Sequence, residues 1–273
     1  MRVPECIQLA FVCLLAVAGM LRPLGWDRKL RITLLALVAI AAITAARFST
    51  QWMSPLASSV VRDWLPASLM LVPYWQVGQF FSTPDPQMQT CLARFDRTFY
   101  RQLGIEPAQT RISLSFATFL ELAYLMVYPL VPLGLVVLYV SGMRSMVDLY
   151  WLVVLSATYA CFGTTLFVRA LPPRNLSGSD RFQIPSTRVR ILNRGILDSA
   201  SIHAVTCPSA HVASSLAAAL VLLRFQPWVG GIFLFVALSI VVATIVGGYH
   251  YVADVLLATI IATLMFAVSF CIY

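Results

Sequence analysis

Charged side chains are scarce in this sequence. Only 11% of its 273 residues are Asp, Glu, Lys or Arg, whereas 60% are hydrophobic, and soluble domains carry roughly 25% charged residues. Several apolar stretches reach the roughly 20 residues that a helix needs to cross a bilayer. The composition excludes an ordinary soluble protein and predicts an all-α, multi-pass integral membrane protein.

Acidic residues are fewer than basic ones, 11 against 19, and they form no aspartate-rich cluster. A magnesium-dependent or two-metal transferase needs several oxygen ligands, and no His/Cys group has zinc spacing. We therefore expect no metal and no cofactor, with arginines neutralising phosphate instead. The net charge of +8 suits loop arginines or attraction to anionic lipid. Nucleic acid is not an expected partner, because no soluble basic module exists.

Cysteines are few and scattered. The six include no CxxC pair, and most sit in apolar runs, where cysteine behaves as a small buried hydrophobe. Cys91 and Cys207 lie in loops that could share a face. A disulfide between them is the less favoured alternative to two free thiols, because sequence cannot establish the required geometry.

Eight apolar segments have helical length, and seven or eight of them are expected to cross the membrane. They cover residues 7–21, 31–46, 65–81, 113–140, 148–168, 208–223, 228–247 and 250–272. Segment 65–81 is the weakest, because it contains prolines and glutamines, and it either spans or re-enters. We expect residues 1–111 to form N-terminal membrane helices with an interfacial loop at 82–111. Residues 112–273 are expected to form a catalytic membrane core.

One acid interrupts the apolar C-terminal third. From Phe225 to Tyr273 there is no Lys, Arg or Glu, and the only acid is Asp254. An ionisable side chain in a membrane segment is by default a functional-site hypothesis. His250 lies four residues earlier, which on a helix places the two side chains on one face. The carboxylate can then orient the imidazole and stabilise its protonated form.

A second histidine lies in Pro208-Ser209-Ala210-His211, which opens an apolar helix. Proline suits a first helical turn, the exposed N–H groups there attract anions, and His211 could protonate a leaving alkoxide. The 16 residues of segment 208–223 span about 24 Å at 1.5 Å per residue, so a helix out and a helix back return His250 to the face of His211. Loop 169–207, with its six arginines, precedes His211, and three segments converge at one membrane face.

Each motif alone also has a simpler structural explanation. His250 and Asp254 could cap a helix end, and the second motif could be an ordinary proline-serine helix start. The chain has only three histidines, and the third, His203, is interpreted as structural. Because the other two occupy these two motifs, we favour a phosphoryl-transfer site.

These residues resemble the type-2 phosphatidic acid phosphatase superfamily. Its motifs are Lys-x6-Arg-Pro, Pro-Ser-Gly-His and Ser-Arg-x5-His-x3-Asp. The second is similar to Pro208-Ser209-Ala210-His211, the third to His250-x3-Asp254, and the first falls at Leu171-Pro172-Pro173-Arg174. The resemblance covers roughly residues 113–272 and implies a six-helix core. Segment 179–215 looks like bacterial members related to inositol phosphorylceramide synthases.

The resemblance implies a lipid-phosphate phosphatase with a phosphohistidine intermediate. His250 would attack phosphorus, Asp254 would orient it, and His211 would protonate the leaving alcohol. Ser209 and Arg174 would hold the phosphate oxygens. The implied partners are a lipid phosphate or phosphodiester substrate and the surrounding membrane lipids.

The sequence departs from the family motifs at several positions. Phe167 stands at the first-motif lysine, Asn175 replaces the proline, and Ala243-Thr244 replace the serine-arginine pair. Losing one preorganised donor costs about 2.7–4 kcal/mol, so other arginines are expected to take over phosphate binding. The candidates are Arg169, Arg188, Arg190 and Arg194, of which Arg169 and Arg194 are the ones we assign to phosphate.

Two alternatives to a phosphatase stay open. One is a lipid phosphotransferase of the inositol phosphorylceramide or sphingomyelin synthase type, because sphingolipid synthases also lack the third-motif arginine. The other is a catalytically silent lipid-binding protein on the same fold.

Polar groups in the apolar runs have two interpretations. Glu121 either contacts a headgroup or an arginine, or is a carboxylate near the interface. Tyrosines are interpreted as interface anchors rather than substrate contacts; they are Tyr124, Tyr128, Tyr249 and Tyr251.

We expect the site to face the extracytoplasmic side of the plasma (inner) membrane. Arg144 and Arg224 lie opposite the predicted site. If segment 65–81 re-enters, the basic cluster at residues 22–31 joins them, and that face is cytoplasmic by the positive-inside rule. If segment 65–81 spans the membrane, the basic cluster at residues 22–31 lies on the same face as the predicted site. The positive-inside rule then contradicts an extracytoplasmic site.

Overall fold

A computed structural model describes residues 1–176, 182–202 and 204–272. The described residues form twelve α-helices and no named strand, which confirms the all-α prediction. The helices are α1 (Val3–Leu21), α2 (Trp26–Phe48), α3 (Pro55–Leu69), α4 (Leu71–Gly78), α5 (Pro86–Gln102), α6 (Leu114–Leu125), α7 (Val127–Val140), α8 (Val147–Thr165), α9 (Arg188–Ala200), α10 (Ala210–Phe225), α11 (Pro227–Val246) and α12 (Val252–Ile272).

Five helical segments are long and apolar enough to cross a membrane: Val3–Leu21, Trp26–Gln51, Arg144–Thr165, Pro227–Val246 and Val252–Ile272. Helices α6 and α7 meet at a 58° bend and together make up to one more span. Large apolar side chains face outward on these helices, among them Ile232, Phe235 and Leu264, as expected where lipid rather than water is the neighbour. The multi-pass prediction is confirmed.

Helix α10 lies at the centre of the bundle although it is shorter than the spans around it. It packs against α8, α11 and α12. Its alanines, Ala213, Ala217, Ala218 and Ala219, are fully buried. Small side chains let helix backbones approach closely without loss of packing. The helix that begins with the second motif is therefore held rigidly on all sides.

Helices α3 and α4 cover most of segment 65–81, and neither is among the helices long and apolar enough to cross a membrane by itself. In the middle of α3, Asp63 accepts a hydrogen bond from Arg144 Nε at 2.7 Å, which marks the end of the bundle opposite the histidines. Just after α4, the Phe81 carbonyl accepts a hydrogen bond from Arg28 Nη1 at 2.9 Å. The two helices thus connect both ends, and the 22–31 cluster lies at the end that holds the histidines.

An ionic cluster closes the opposite end. The buried Asp63 accepts hydrogen bonds from both Arg2 and Arg144, and the buried Glu5 accepts two from Arg62, at 2.6 and 2.9 Å. Buried ion pairs are costly to break, because the remaining charge is left uncompensated. The cluster joins α1, α3 and the short turn before α8.

The main hydrophobic core is continuous across residue 111. Leu15, Ile32 and Val77 belong to the same buried cluster as Trp151 and Leu216. The division into residues 1–111 and 112–273 therefore stays a prediction about folding units and does not mark a gap in packing.

Candidate active site

The His250–Asp254 pair forms at the start of α12. His250 precedes the helix, which begins at Val252, so the pairing arises from the turn before the helix and not from its body. His250 Nδ1 lies 3.4 Å from Asp254 Oδ2, and the same oxygen accepts the Tyr251 N–H at 3.1 Å. Asp254 is fully buried and His250 nearly so. With Nδ1 directed at the carboxylate, Nε2 is the nitrogen left for chemistry.

A glycine turn places the His250 segment against the first motif. Gly248 has a φ of +72°, which favours a residue without Cβ. Its carbonyl accepts the Arg174 N–H at 2.8 Å, and the Arg174 guanidinium lies over the Tyr249 ring, 5.7 Å from its centroid. Arg174 is thereby fixed beside the histidine, as the sequence predicts.

His211 faces His250 across the site. Their ring centroids are 6.0 Å apart and the ring planes make an angle of 78°, close enough for both to contact one bound phosphoryl group. Ser209 caps α10 by accepting the Val212 N–H at 3.4 Å, and its own N–H donates to the Asp254 carbonyl at 3.1 Å. The two predicted motifs are therefore bonded directly to each other.

Tyrosines form an aromatic wall behind His211, which corrects the interpretation of three of them as interface anchors. Tyr124 and Tyr249 are buried and stacked, with centroids 3.8 Å apart, and Tyr124 presents an edge-on ring to His211 at 6.1 Å. Tyr251 is buried too. Only Tyr128 keeps substantial exposure, and its ring is 6.4 Å from that of His211. Tyr249 is buried because its ring stacks on Tyr124, a residue far away in the chain. The positions of the tyrosines along the sequence do not reveal such a contact.

Glu121 has an arginine partner, which decides between its two interpretations. The carboxylate is 3% exposed and pairs with Arg190. Its Oε2 also accepts from Asn193 Nδ2 at 2.8 Å and from the Tyr249 hydroxyl at 2.6 Å. Burial and hydrogen bonding to Glu121 raise the pKa of Tyr249. This cluster ties α6 and α9 to the aromatic wall.

The other candidate phosphate arginines lie apart from the histidines. Arg169 is half exposed and lies 3.7 Å from the Asp85 carboxylate. Arg194 and Arg188 are exposed on α9, whereas the charge of Arg190 is balanced by Glu121. Among the predicted phosphate ligands, the structure brings Arg174 and Ser209 to the histidines. Whether any of these residues binds phosphate stays a prediction. His203 and Arg181 lie outside the described residues.

Helix α5 is the part of the site that sequence reasoning missed. Gln89 donates to the Tyr251 hydroxyl and accepts the Leu171 N–H at 2.8 Å. Asp96 accepts the N–H of Val252, the first residue of α12, at 2.9 Å. Partial burial raises the pKa of Asp96 to about 7. The amphipathic pattern of residues 82–111 indicated an interfacial helix. Nothing in it indicated contact with residues 247–251, the turn between α11 and α12 that carries His250 and is called the catalytic turn below.

A cavity of about 620 Å³ opens between α5 and the catalytic turn. His250, Gly248 and Tyr251 line one wall, and Arg97 and Arg101 of α5 line another. Its volume is in the range that encloses a small-molecule ligand.

Both loop cysteines are free thiols, so the Cys91–Cys207 disulfide does not form. Cys91 is exposed on α5 and Cys207 is buried before α10. Burial raises the pKa of the Cys207 thiol, and a buried thiol of this kind is unreactive.

Among the described residues, no group of three or more His, Cys, Asp or Glu side chains could hold a metal ion. No curated protein and no solved structure matches the chain. The sequence does match the PAP2 superfamily over residues 92–268, a range that begins within α5 and contains all three motifs. Since the match covers more than half of the chain, this protein belongs to the PAP2 superfamily of phosphatases and phosphotransferases.

Proposed function

We propose that this protein is an integral membrane lipid-phosphate phosphohydrolase that acts through a phosphohistidine. The observation that carries the proposal is the 6.0 Å separation of the His211 and His250 rings, with Asp254 behind His250. Two imidazoles at this separation can act on opposite sides of one phosphorus atom.

In the first step, His250 Nε2 attacks phosphorus. A P–N bond forms, the P–O bond to the lipid alcohol breaks, and protonated His211 donates its proton to the departing oxygen. Asp254 stabilises the positive imidazole ring that results. General acid help of this kind contributes about 10²–10⁴ in rate.

In the second step, the now neutral His211 takes a proton from water. The water oxygen attacks phosphorus, the P–N bond breaks, and inorganic phosphate leaves. Both histidines return to their starting states. Arg174, beside the catalytic turn, is positioned to balance charge on the phosphate oxygens.

The test uses purified protein in detergent with phosphatidic acid or an isoprenoid diphosphate as substrate, in excess chelator. We expect phosphate release in the presence of chelator and its loss in His250→Ala. Labelled substrate should leave an acid-labile phosphoprotein with the wild-type chain and none with His250→Ala. Asp198→Asn changes an exposed residue of α9. It is the control for effects of mutation and purification alone and should keep wild-type activity. Undiminished turnover by His250→Ala would refute the mechanism.

A phosphotransferase of the inositol phosphorylceramide or sphingomyelin synthase type is the second candidate. It is favoured by Thr244, which stands at the third-motif arginine, is fully buried, and directs its hydroxyl to the Val241 carbonyl at 2.8 Å. A lipid alcohol would then replace water in the second step. Labelled donor lipid, with and without inositol or ceramide, separates the two by product. If the protein binds lipid but turns over neither the phosphatase nor the phosphotransferase substrates, it would instead be a catalytically silent lipid-binding protein.

The compartment that the site faces is a separate proposal. An extracytoplasmic site in the plasma membrane was expected if segment 65–81 re-enters. Since α3 and α4 connect the two ends of the bundle, the 22–31 cluster no longer supports that orientation. Cys91 is exposed on α5 at the site end. A membrane-impermeant maleimide applied to intact cells, with the other exposed cysteines Cys6, Cys13 and Cys271 replaced by serine, should label Cys91 only if the site faces outward.

A further inference from the structure

Helix α5 presents two arginines to the cavity beside His250. Arg97 and Arg101 are four residues apart, so they share one face of the helix, and both line the 620 Å³ cavity together with His250. Arg94, one turn earlier, lines a different depression with Cys91. Two arginines of the helix thus border the cavity that His250 also lines, and the third borders a different depression.

The helix is fastened to the catalytic turn by hydrogen bonds at two places. Gln89 bonds to the Tyr251 hydroxyl and the Leu171 backbone, and Asp96 bonds to the Val252 N–H. Gln89 and Asp96 are two helical turns apart, so α5 is held along its length. The arginine pair is therefore carried on a fixed part of the site wall.

Two motif positions that are basic in the family are uncharged here, and Arg97 and Arg101 add two positive charges to a cavity that Asp96 and Glu106 also line. Phe167 stands at the first-motif lysine, Thr244 at the third-motif arginine, and the charge of Arg190 is balanced by Glu121. Arg174 keeps the motif arginine beside the catalytic turn. A phosphate monoester carries up to two negative charges, and arginine is the side chain best suited to hold it.

We propose that Arg97 and Arg101 are phosphate-binding residues and that the α5 cavity receives the phosphate monoester end of a lipid. This rests on the proposed function. Ile245 and Val246, at the end of α11, give the cavity an apolar wall for the lipid chain. Glu106 also lines the cavity and offers an acceptor for a headgroup hydroxyl.

The experiment compares Arg97→Gln and Arg101→Gln with the matched control Arg94→Gln in the purified full-length protein. We expect the first two to raise KM for phosphatidic acid roughly tenfold each, as for loss of one charge-assisted hydrogen bond, and the control to stay within twofold. Arg97→Lys should recover part of the loss, because it keeps the charge but not the planar fork. All three glutamine variants within twofold of wild type would overturn the proposal. Equal increases in all three would overturn it as well, since they would indicate general surface attraction.

A binding arm separates this proposal from the proposed function. Fluorescent short-chain phosphatidic acid is titrated onto the His250→Ala protein with and without Arg97→Gln, and inorganic phosphate and the matching diacylglycerol serve as competitors. We expect the arginine change to weaken binding roughly tenfold and the diacylglycerol to compete poorly. Binding that ignores the arginine change overturns the proposal even if turnover depends on His250. Competition by inorganic phosphate alone, with no preference for the lipid, overturns the lipid assignment.

Discussion

Replacing Glu121 with glutamine should destabilise this protein more than any comparable change of a surface carboxylate. Glu121 is buried and accepts hydrogen bonds from Arg190, Asn193 and the Tyr249 hydroxyl. Glutamine keeps the shape but loses the negative charge. The N–H₂ of the glutamine amide would also face at least one of the three groups that donate hydrogen bonds to Glu121, so that two donors would oppose each other.

The magnitude follows from the burial of the pair. Leaving one charge of a buried ion pair without its partner costs about 3–5 kcal/mol. Glutamine retains one acceptor, so we expect a value at the lower end, about 3 kcal/mol. For a chain of this size, 1 kcal/mol shifts Tm by roughly 2–4 °C, which gives a decrease of about 6–12 °C.

The assay is thermal unfolding in detergent, followed by tryptophan fluorescence. Asp198→Asn makes the same carboxylate-to-amide change at an exposed position of α9 and should shift Tm by no more than about 2 °C, as surface changes usually do. The double variant Glu121→Leu/Arg190→Met removes both charges and should be more stable than Glu121→Gln alone. If Glu121→Gln and Asp198→Asn have the same Tm, the buried pair contributes no net stability and the reasoning fails.

Three further outcomes are expected. Asp254→Asn should lower kcat roughly 10²–10⁴-fold with a smaller change in KM, because the imidazole loses the carboxylate that supports its positive form; steady-state kinetics that show no decrease would remove Asp254 from the mechanism. Asp96, whose pKa is raised to about 7 by burial, binds its proton more tightly in the folded state, so stability should fall as pH rises towards and through 7. Asp96→Asn should therefore melt above wild type at pH 8 and near it only at about pH 4, close to the ordinary aspartate pKa of 3.8, and parallel Tm curves from about pH 4 to 8 would contradict this. Gly230→Ala should cost about 1–3 kcal/mol, because an added Cβ would meet the α10 backbone at Leu223. Gly231→Ala, where the added carbon meets nothing within 4 Å, is its control in the same melting assay, and equal Tm values would refute the packing argument.

The predicted meeting of the two histidines and the aspartate is found in the structure, and it depends on local spacing that carries three-dimensional information. His250 and Asp254 pair because four residues bring side chains together at the start of a helix. His211 returns to them because one helix out and one helix back conserve the membrane face. Both inferences need only helix geometry and the thickness of a bilayer.

The parts that failed depend on contacts between distant segments. Glu121 was open to an arginine partner, but which arginine it meets depends on residues 69 positions apart, and the bond of Asp96 to a residue 156 positions away was not predicted. Tyr124 and Tyr249 look like interface tyrosines by their positions in the chain, yet they stack in the interior. Helix α9 lies in the segment that the sequence predicts as a loop, because its packing against α6 depends on Arg190 and Asn193, which bond to the distant Glu121.

The amino-acid sequence by itself determined the membrane class, the helical architecture and the meeting of two histidines and one aspartate at one end of the bundle. These properties follow from composition and from spacing within single helices, which do not change with the surroundings. Tertiary structure alone decided the path of α3 and α4, the burial of the tyrosine wall and the docking of α5 over the catalytic turn. Each of these depends on which side chains meet across the bundle, and packing between helices in a membrane is selected by close fit that no single segment encodes.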